Sequence, residues 1–357
     1  MSDAAVDAIE PEAPDDSSTP SPAGSAKAEE RRAGAALIKR TFPYAEEDVA
    51  TTWRLFAMTA AVWVLFQVGA LLHPWWPVQL LCALLLGLTT VRIFIFFHDY
   101  AHGAIWRDSK VAWWIMTVFG LMVLSPLPVW TQTHDYHHRN NAKMLGASIG
   151  SYPTVTVGMW RGMTPTQRRW YLFARHPMTI LFGYFPVFMG GMCLAAFVRE
   201  PKVHWQGPLA IGLHVGAAGL AGWLLGPWAA LVGIVLPLFV ACAAGAYLFY
   251  AQHNFPAAEL RGRDTWTYHH AALRASSMFD MPLVMHWFTG NIGYHHVHHL
   301  NHKIPFYRLP EAMAAIPELQ SPGRTSWRPS DISACLRLAL WDPERNRMIG
   351  WDEMPST

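Results

Sequence analysis

Long apolar runs with few polar interruptions set the pattern of this chain. Residues 52–72 are apolar except for Arg54 and Gln67, and residues 78–97 are broken only by Arg92. Each run is long enough to cross roughly 30 Å of hydrocarbon as a helix. The turn between them, residues 72–77 (LHPWWP), is short, uncharged and aromatic, as suits a hairpin at a bilayer surface. A third run covers 111–130 and ends in Ser-Pro-Leu-Pro, and a fourth covers 179–198. A long fifth run, 208–250, is interrupted near Gly226-Pro227 and again at Pro237. The pattern predicts an all-α integral membrane protein of about four transmembrane helices, with interfacial helices and a polar cap.

The polar stretches organise the rest. Residues 1–30 hold eight acids and one lysine among many Ala, Pro and Ser, which predicts a disordered acidic tail without the basic start and apolar stretch of a signal peptide. A basic juxtamembrane stretch (Arg31, Arg32, Lys39, Arg40) completes residues 1–44. Residues 139–177 carry Arg139, Lys143, Arg161, Arg168, Arg169 and Arg175 and no acid. By the positive-inside rule this loop faces the cytoplasm, as does the stretch before residue 52. Residues 45–320 read as one membrane-embedded unit, and 321–357 as a C-terminal cytoplasmic tail.

Composition sharpens this picture. The 357 residues are 52% hydrophobic and only 15% charged, against about 25% charged in a soluble domain. Eighteen Trp include Trp75, Trp76, Trp113 and Trp114, which read as interface anchors. A net charge of +2 excludes a strongly basic nucleic-acid binder. The four cysteines (Cys82, Cys193, Cys242, Cys335) are far apart with no CxxC pair, so no disulfide framework, zinc ribbon or iron–sulfur cluster is read. The glycines from Gly212 to Gly226 suit small-residue helix packing.

Eighteen histidines stand out, most of them in three clusters. They are His98-Asp-Tyr-Ala-His102, His134-Asp-Tyr-His137-His138, and His295-His296-Val-His298-His299. On a helix, positions i, i+3 and i+4 share a face, so each cluster would aim its imidazoles one way, with His296 pointing elsewhere. At 18 histidines in 357 residues, an HxxHH pattern is expected only about 0.05 times per chain, and two occur. Clustered imidazoles are metal ligands for Zn, Cu, Fe or Ni. Eight exceed the three or four that one catalytic zinc uses, so two metals are implied. No ExxH of a soluble di-iron bundle and no HExxH occurs.

One site requires the clusters to share a side of the membrane. Residues 111–130 are too short for two crossings, so that run should lie in the interface or dip and return. Between His138 and the third cluster, 179–198 plus one crossing from 208–250 would make two, the remainder being re-entrant or interfacial.

HDYAH, HDYHH and HHVHH, in this order between apolar spans, resemble the histidine boxes of membrane fatty acid desaturases. Residues 290–300 (GNIGYHHVHHL) and 304–310 (IPFYRLP), with 163–165 (MTP) through 175–177 (RHP), are similar to the acyl-lipid delta-12 (omega-6 type) branch. The HxxxH first box also suits that side, because acyl-CoA desaturases have a longer one. The resemblance spans roughly residues 50–315. It implies a non-haem di-iron centre, dioxygen as co-substrate, and a cis double bond placed in a fatty acyl lipid held in a dry slot under the cap. It also implies a further ligand at His253. The metal set is then His98, His102, His134, His137, His138, His253, His295, His298 and His299, with no catalytic residue beyond the ligands.

Asp99 and Asp135 are candidates to orient first-box and second-box imidazoles through the other ring N–H. Asn254 or Asn291 is a candidate weak or water-bridged ligand. His73, His204, His214, His269, His270, His286 and His302 read as structural, with His269-His270 the pair to watch. Lacking its own electron carrier, the chain needs an external ferredoxin or cytochrome, for which Arg261, Arg263 and Arg274 could be a dock or else a lipid-facing patch. The expected location is a bacterial inner membrane, boxes on the cytoplasmic side. Alternatives are a hydroxylase or ketolase of the same superfamily acting on alkanes, fatty acids or carotenoids, a membrane metal transporter, and a bis-histidine haem protein.

Overall fold

The computed structural model describes residues 22–143 and 151–355. It opens with α1 (Pro22–Arg40), followed by α2 (Val49–Leu72) and α3 (Trp76–Ala101). Asp48 caps α2 by accepting the Thr51 N–H at 3.0 Å, and Pro77 sits in the first turn of α3, where no intrahelical donor is lost. Next come α4 (Lys110–Met122) and α5 (Leu127–Asn140), bent 89° to one another. The bend has a local cause: Leu124 takes a positive φ of 57° and Pro126 and Pro128 frame the start of α5. The bend divides the 111–130 run between two helices, so it is not one straight span.

Beyond the loop lie α6 (Val157–Gly162), α7 (Pro165–Arg175), α8 (Pro177–Leu181), a π-helix at Tyr184–Ala195, α9 (Ala196–Arg199) and α10 (Gln206–Leu225). Gly226, at φ 93°, and Pro227 end α10. The chain then returns through α11 (Pro227–Ala230), a π-helical stretch at Leu231–Val235, and α12 (Leu236–His253). The cap adds α13 (Tyr268–Arg274), β1 (Met278–Asp280), α14 (Leu283–Phe288), α15 (His295–Leu300), α16 (Leu309–Ala315), β2 (Arg324–Ser326), α17 (Pro329–Arg337), β3 (Leu338–Asp342) and β4 (Arg347–Gly350). Strand β1 pairs in parallel with β2, and β3 antiparallel with β4. The architecture is an all-α multi-pass membrane protein with two small sheets in its cap.

Among the described residues, four helices are long and apolar enough to span: Val49–Leu72, Trp76–Ala101, Gln206–Leu225 and Pro227–His253. The number agrees with the sequence expectation, but one member does not. The run 179–198 is no span. Its helical part is twelve π-helical residues and four α-helical ones, which as α-helix would reach only about 24 Å against roughly 30 Å of hydrocarbon. Both required crossings come instead from the 208–250 region, split at Gly226-Pro227.

Helices α3 and α12 form the centre. A Cβ at Gly87 would stand 2.7 Å from the Pro237 carbonyl oxygen, so only glycine lets the two backbones approach. Polar groups inside the bundle are satisfied locally. Thr59 and Thr89 each donate back to the carbonyl four residues earlier at 2.7 Å, and the Arg92 Nε–H donates to Thr59 Oγ1 at 3.0 Å. The face of α10 at Gly212, Gly216 and Gly219 meets no described atom within 4 Å of a built Cβ, so the packing expected there is not made among the described residues.

Two further expectations are corrected. Residues 22–30, expected to be disordered, begin α1, while residues 1–21 lie outside the described residues. Alanines favour the helix, and tertiary contacts anchor it. The Glu30 carboxylate accepts from Arg261 at 2.7 Å and from Thr267 at 3.1 Å, Leu37 is buried, and a Cβ on Gly34 would stand 2.1 Å from His269 Nδ1. Residues 321–355 are also no loose tail. Strand β2 joins β1, Cys335 is fully buried, and the Tyr171 hydroxyl donates to the Ala339 carbonyl.

Candidate metal centre

Four stretches of chain deliver the histidines. The end of α3 carries His98, with His102 as its C-cap. Helix α5 carries His134, His137 and His138, the last residue of α12 is His253, and α15 carries His295, His298 and His299. The 89° bend between α4 and α5 accompanies an arrangement in which the His134 ring lies 4.8 Å from that of His98 and 4.9 Å from that of His102.

The nine imidazoles fall into two groups. His98, His102, His134, His138 and His298 form one, and His137, His253, His295 and His299 the other, with ligand atoms inside each group within 4.8 Å of one another. The division follows helix geometry. The i and i+4 residues of a box lie nearly in line, whereas i+3 is turned by about 100° from i+4. Helix α5 accordingly gives His134 and His138 to the five-histidine group and His137 to the other. Helix α15 does the reverse, giving His295 and His299 to the four-histidine group and His298 to the five. Each of these helices thus serves both groups.

Whether the groups fit metal ions is decided by their nitrogen atoms. In the four-histidine group the Nε2 atoms make a closed square with edges of 3.1 Å (His137–His253), 2.8 Å (His253–His295), 3.1 Å (His295–His299) and 3.3 Å (His299–His137). A neutral imidazole nitrogen has one proton or one lone pair, so four in a ring can satisfy at most two edges. His253 Nδ1 lies 3.0 Å from the Ala275 carbonyl oxygen and therefore carries its proton there, leaving its Nε2 as a lone pair facing the square. One cation would take all four lone pairs. At metal–nitrogen distances of about 2.1 Å, right-angled ligands stand about 3.0 Å apart, which matches these edges.

The five-histidine group shows the same signs. His134 and His138 Nε2 are 3.2 Å apart, and His138 and His298 Nε2 are 3.1 Å apart. Neither ring nitrogen of His102 has a hydrogen-bond partner although both are buried. Burial pushes His102, His134, His138 and His298, and likewise His137, His295 and His299, well below the usual imidazole range, and neighbouring rings add to the effect. They are therefore neutral at pH 7, the form that binds metals.

The candidate orienting residues differ. Asp99 is buried, and its Oδ1 is 2.9 Å from His98 Nδ1 while its Oδ2 accepts the Phe306 N–H at 2.7 Å. One carboxylate thus fixes the His98 ring and ties the first box to the 304–310 segment. Asp135 is half exposed, and its Oδ1 stands 3.8 Å from His102 Nδ1, beyond a hydrogen bond. The two asparagines do not face the groups. Asn254 accepts from Arg175 and donates to the Cys335 carbonyl, and Asn291 donates to the Phe306 carbonyl.

His296, expected to point elsewhere, donates from Nε2 to the Leu319 carbonyl at 3.0 Å, away from both groups. His269 and His270 face Glu30 and Glu259 at 3.6 and 3.3 Å. His302 is closer to the centre than its sequence suggests: its ring lies 4.7 Å from that of His102 and 5.2 Å from that of His138. The chain leaves the helix at Asn301, so the i, i+4 relation to His298 does not extend to it.

Aromatic rings and one buried cation complete the surroundings. Trp130 stacks on His134 at 4.7 Å, and Phe249 lies 4.9 Å from His137. Fully buried Arg175 donates to the Pro153 and Leu338 carbonyls at 2.8 and 3.0 Å and to the Tyr250 hydroxyl at 3.2 Å, bracing the residue after His253. A cavity of about 260 Å³, lined by Asn141, Lys143, Thr154, Arg175 and Asn254, ends on His137 and His253. None of the five-histidine group lines it.

Comparison with known proteins gives consistent matches. A model of the fatty acid desaturase family matches residues 74–330. A protein named fatty acid desaturase from Bacillus subtilis (strain 168) is 27% identical over 265 residues, covering 73% of this chain and 74% of its own. A protein named sn-1 acyl-lipid omega-3 desaturase (ferredoxin), from Nostoc sp. (strain 36), is 25% identical over 265 residues, covering 71% of each chain.

Proposed function

Because the chain belongs to the fatty acid desaturase family, and so is a membrane-embedded oxidoreductase, we propose that it places a cis double bond in a lipid-linked fatty acyl chain at a pair of irons. The carrying observation is the division of nine imidazoles into two groups, each with its ligand nitrogens within 4.8 Å of one another, a crowding that a bound cation would satisfy. The overall change balances as one CH2–CH2 unit, one dioxygen, two electrons and two protons giving CH=CH and two waters.

Bound in the two groups, the irons would supply the oxidising power toward dioxygen that removing hydrogen from an unactivated methylene demands. The residues of the chain do the rest. Asp99 holds the His98 proton at Nδ1 and so turns Nε2 inward. The Ala275 carbonyl does the same for His253, and Ser151 Oγ, 2.6 Å from His137 Nδ1, orients that ring. Trp130 and Phe249 pack against the His134 and His137 rings. The acyl chain is to be held in an apolar slot, because fixing the reacting carbons next to the metals removes most of the entropic cost of reaction.

Electrons come from an external ferredoxin or cytochrome, and the ferredoxin named for the Nostoc relative supports the first. The histidine side is the cytoplasmic side, supported by the acid-free basic loop, and the membrane is a bacterial inner membrane. The test is fatty acid profiling after expression with a ferredoxin in a host lacking polyunsaturated lipids, wild type beside His137→Ala. A new double bond in the wild type alone supports the reading, and an unchanged profile from iron-loaded, reducible protein overturns it.

A further inference from the structure

An open groove of about 750 Å³ runs between the α7–α8 corner and α17, within the size range of small-molecule sites. Leu172, Pro177, Ile332, Leu336 and Trp351 make its apolar walls, with His176 and Arg337 exposed among them. No carboxylate lines it, and no described residue accepts from the Arg337 side chain.

Its position says what covers it. Helix α8 runs down beside the span α12, with Ile180 against Ala246 and Tyr250 and the Phe182 ring 5.4 Å from that of Phe239. Around the groove, Trp170, Phe173, Met178 and Leu181 are exposed large apolar residues, next to exposed Arg169. An amphipathic helix with cations on one side and aromatic residues on the other lies in a lipid interface. The open side of the groove is therefore continuous with the bilayer-facing belt. Its inner wall is thin. Leu336 and Tyr152 both pack against the cluster of Ile180, Ala246 and Tyr250, the Tyr152 and Tyr250 rings are 5.1 Å apart, and these two tyrosines also line the cavity that ends on His137 and His253.

We infer that this groove is the lateral entrance for the substrate and takes one acyl chain of a membrane glycerolipid, its polar head at Arg337 and His176. The chain passes Leu336 toward the wall formed by Tyr152 and Tyr250, and thence to the four-histidine group. A carrier arriving from water with a polyphosphate head would need cations around an aqueous mouth, whereas this mouth opens at the bilayer surface. The destination of the chain rests on the desaturation proposed above, while occupancy of the groove by lipid does not.

The experiment uses the full-length, iron-loaded protein, supplied with reduced ferredoxin and air, in phosphatidylcholine vesicles containing phosphatidylglycerol with a diazirine in its acyl chain. After irradiation, labelled peptides are mapped, and iron per chain and desaturation per iron are measured. Labelling of 172–177 and 329–337 is expected, with its loss and a matching fall in desaturation per iron in Ser333→Trp, at unchanged iron. Leu172→Glu, on an exposed edge where folding is not at stake, is expected to act the same way. Labelling confined to the lipid-facing spans, groove labelling erased by excess acyl-CoA, or variants with full turnover would overturn the inference. A labelled groove in a protein that forms no double bond would sink the desaturation reading and leave the lipid site standing.

Discussion

The two histidine groups differ chiefly in what stands behind their imidazoles. Behind the five-histidine group lie a buried carboxylate on His98, the Trp130 ring on His134, and the His302 ring beside His102 and His138. Behind the four-histidine group lie neutral partners, the Ala275 carbonyl and the Ser151 hydroxyl, and a cavity that reaches two of its members. One site has an extra donor and a carboxylate brace; the other has fewer donors and a cavity that reaches two of them. Metal affinity and exchange should therefore diverge between sites built from the same side chain.

The largest test removes a donor from each. His299→Ala and His298→Ala should each lower desaturation by about 100-fold or more, since outer partners alone are worth 10–100-fold. Iron content should separate them. His299→Ala leaves three of four donors and should fall to near one iron per chain, while His298→Ala leaves four of five and should retain more. Equal losses would break the comparison. Next, a ferrous chelator should strip the wild type in two phases, about half of the iron leaving first through the accessible group; a single phase would show that the cavity gives no advantage.

Smaller effects probe the braces. Asp99→Asn should weaken metal retention by about 10–100-fold at the five-histidine group, read as faster release of the slow phase. Arg175→Met, which frees Asn254 beside His253, should speed only the fast phase. Asp135→Asn should change neither by more than about 5-fold, because a half-exposed carboxylate 3.8 Å away is worth at most about 1 kcal/mol.

Much of this centre was legible in the sequence. The HxxxH and HxxHH spacings, the apolar runs and the even number of crossings needed between boxes put eight of the nine imidazoles at one expected site, and His253 entered through family resemblance. The division into five and four was also latent in the i+3 and i+4 spacing, but it needs the relative rotation of α5 and α15, which no single helix encodes. The non-spanning 179–198 run was missed because composition alone does not distinguish a helix that crosses from one that packs Cys193 beside Leu124 and Gly207 at the inner end of α10. Arg175 looked like one more positive-inside charge, since its acceptors, backbone carbonyls and side chains alike, are scattered from Pro153 to Leu338. Helix α1 was hidden by acidic, proline-containing surroundings, because what holds it lies more than two hundred residues away.

That distance carries a consequence for synthesis. The partners of α1, among them Arg261, Thr267 and His269, are made long after Glu30 and Gly34. At about 5–20 residues per second, the ribosome takes roughly 12–47 s to travel from Gly34 to His269. Through that interval the first helix of the described chain has no docking surface. The strap over α13 can close only once that distant segment has been made.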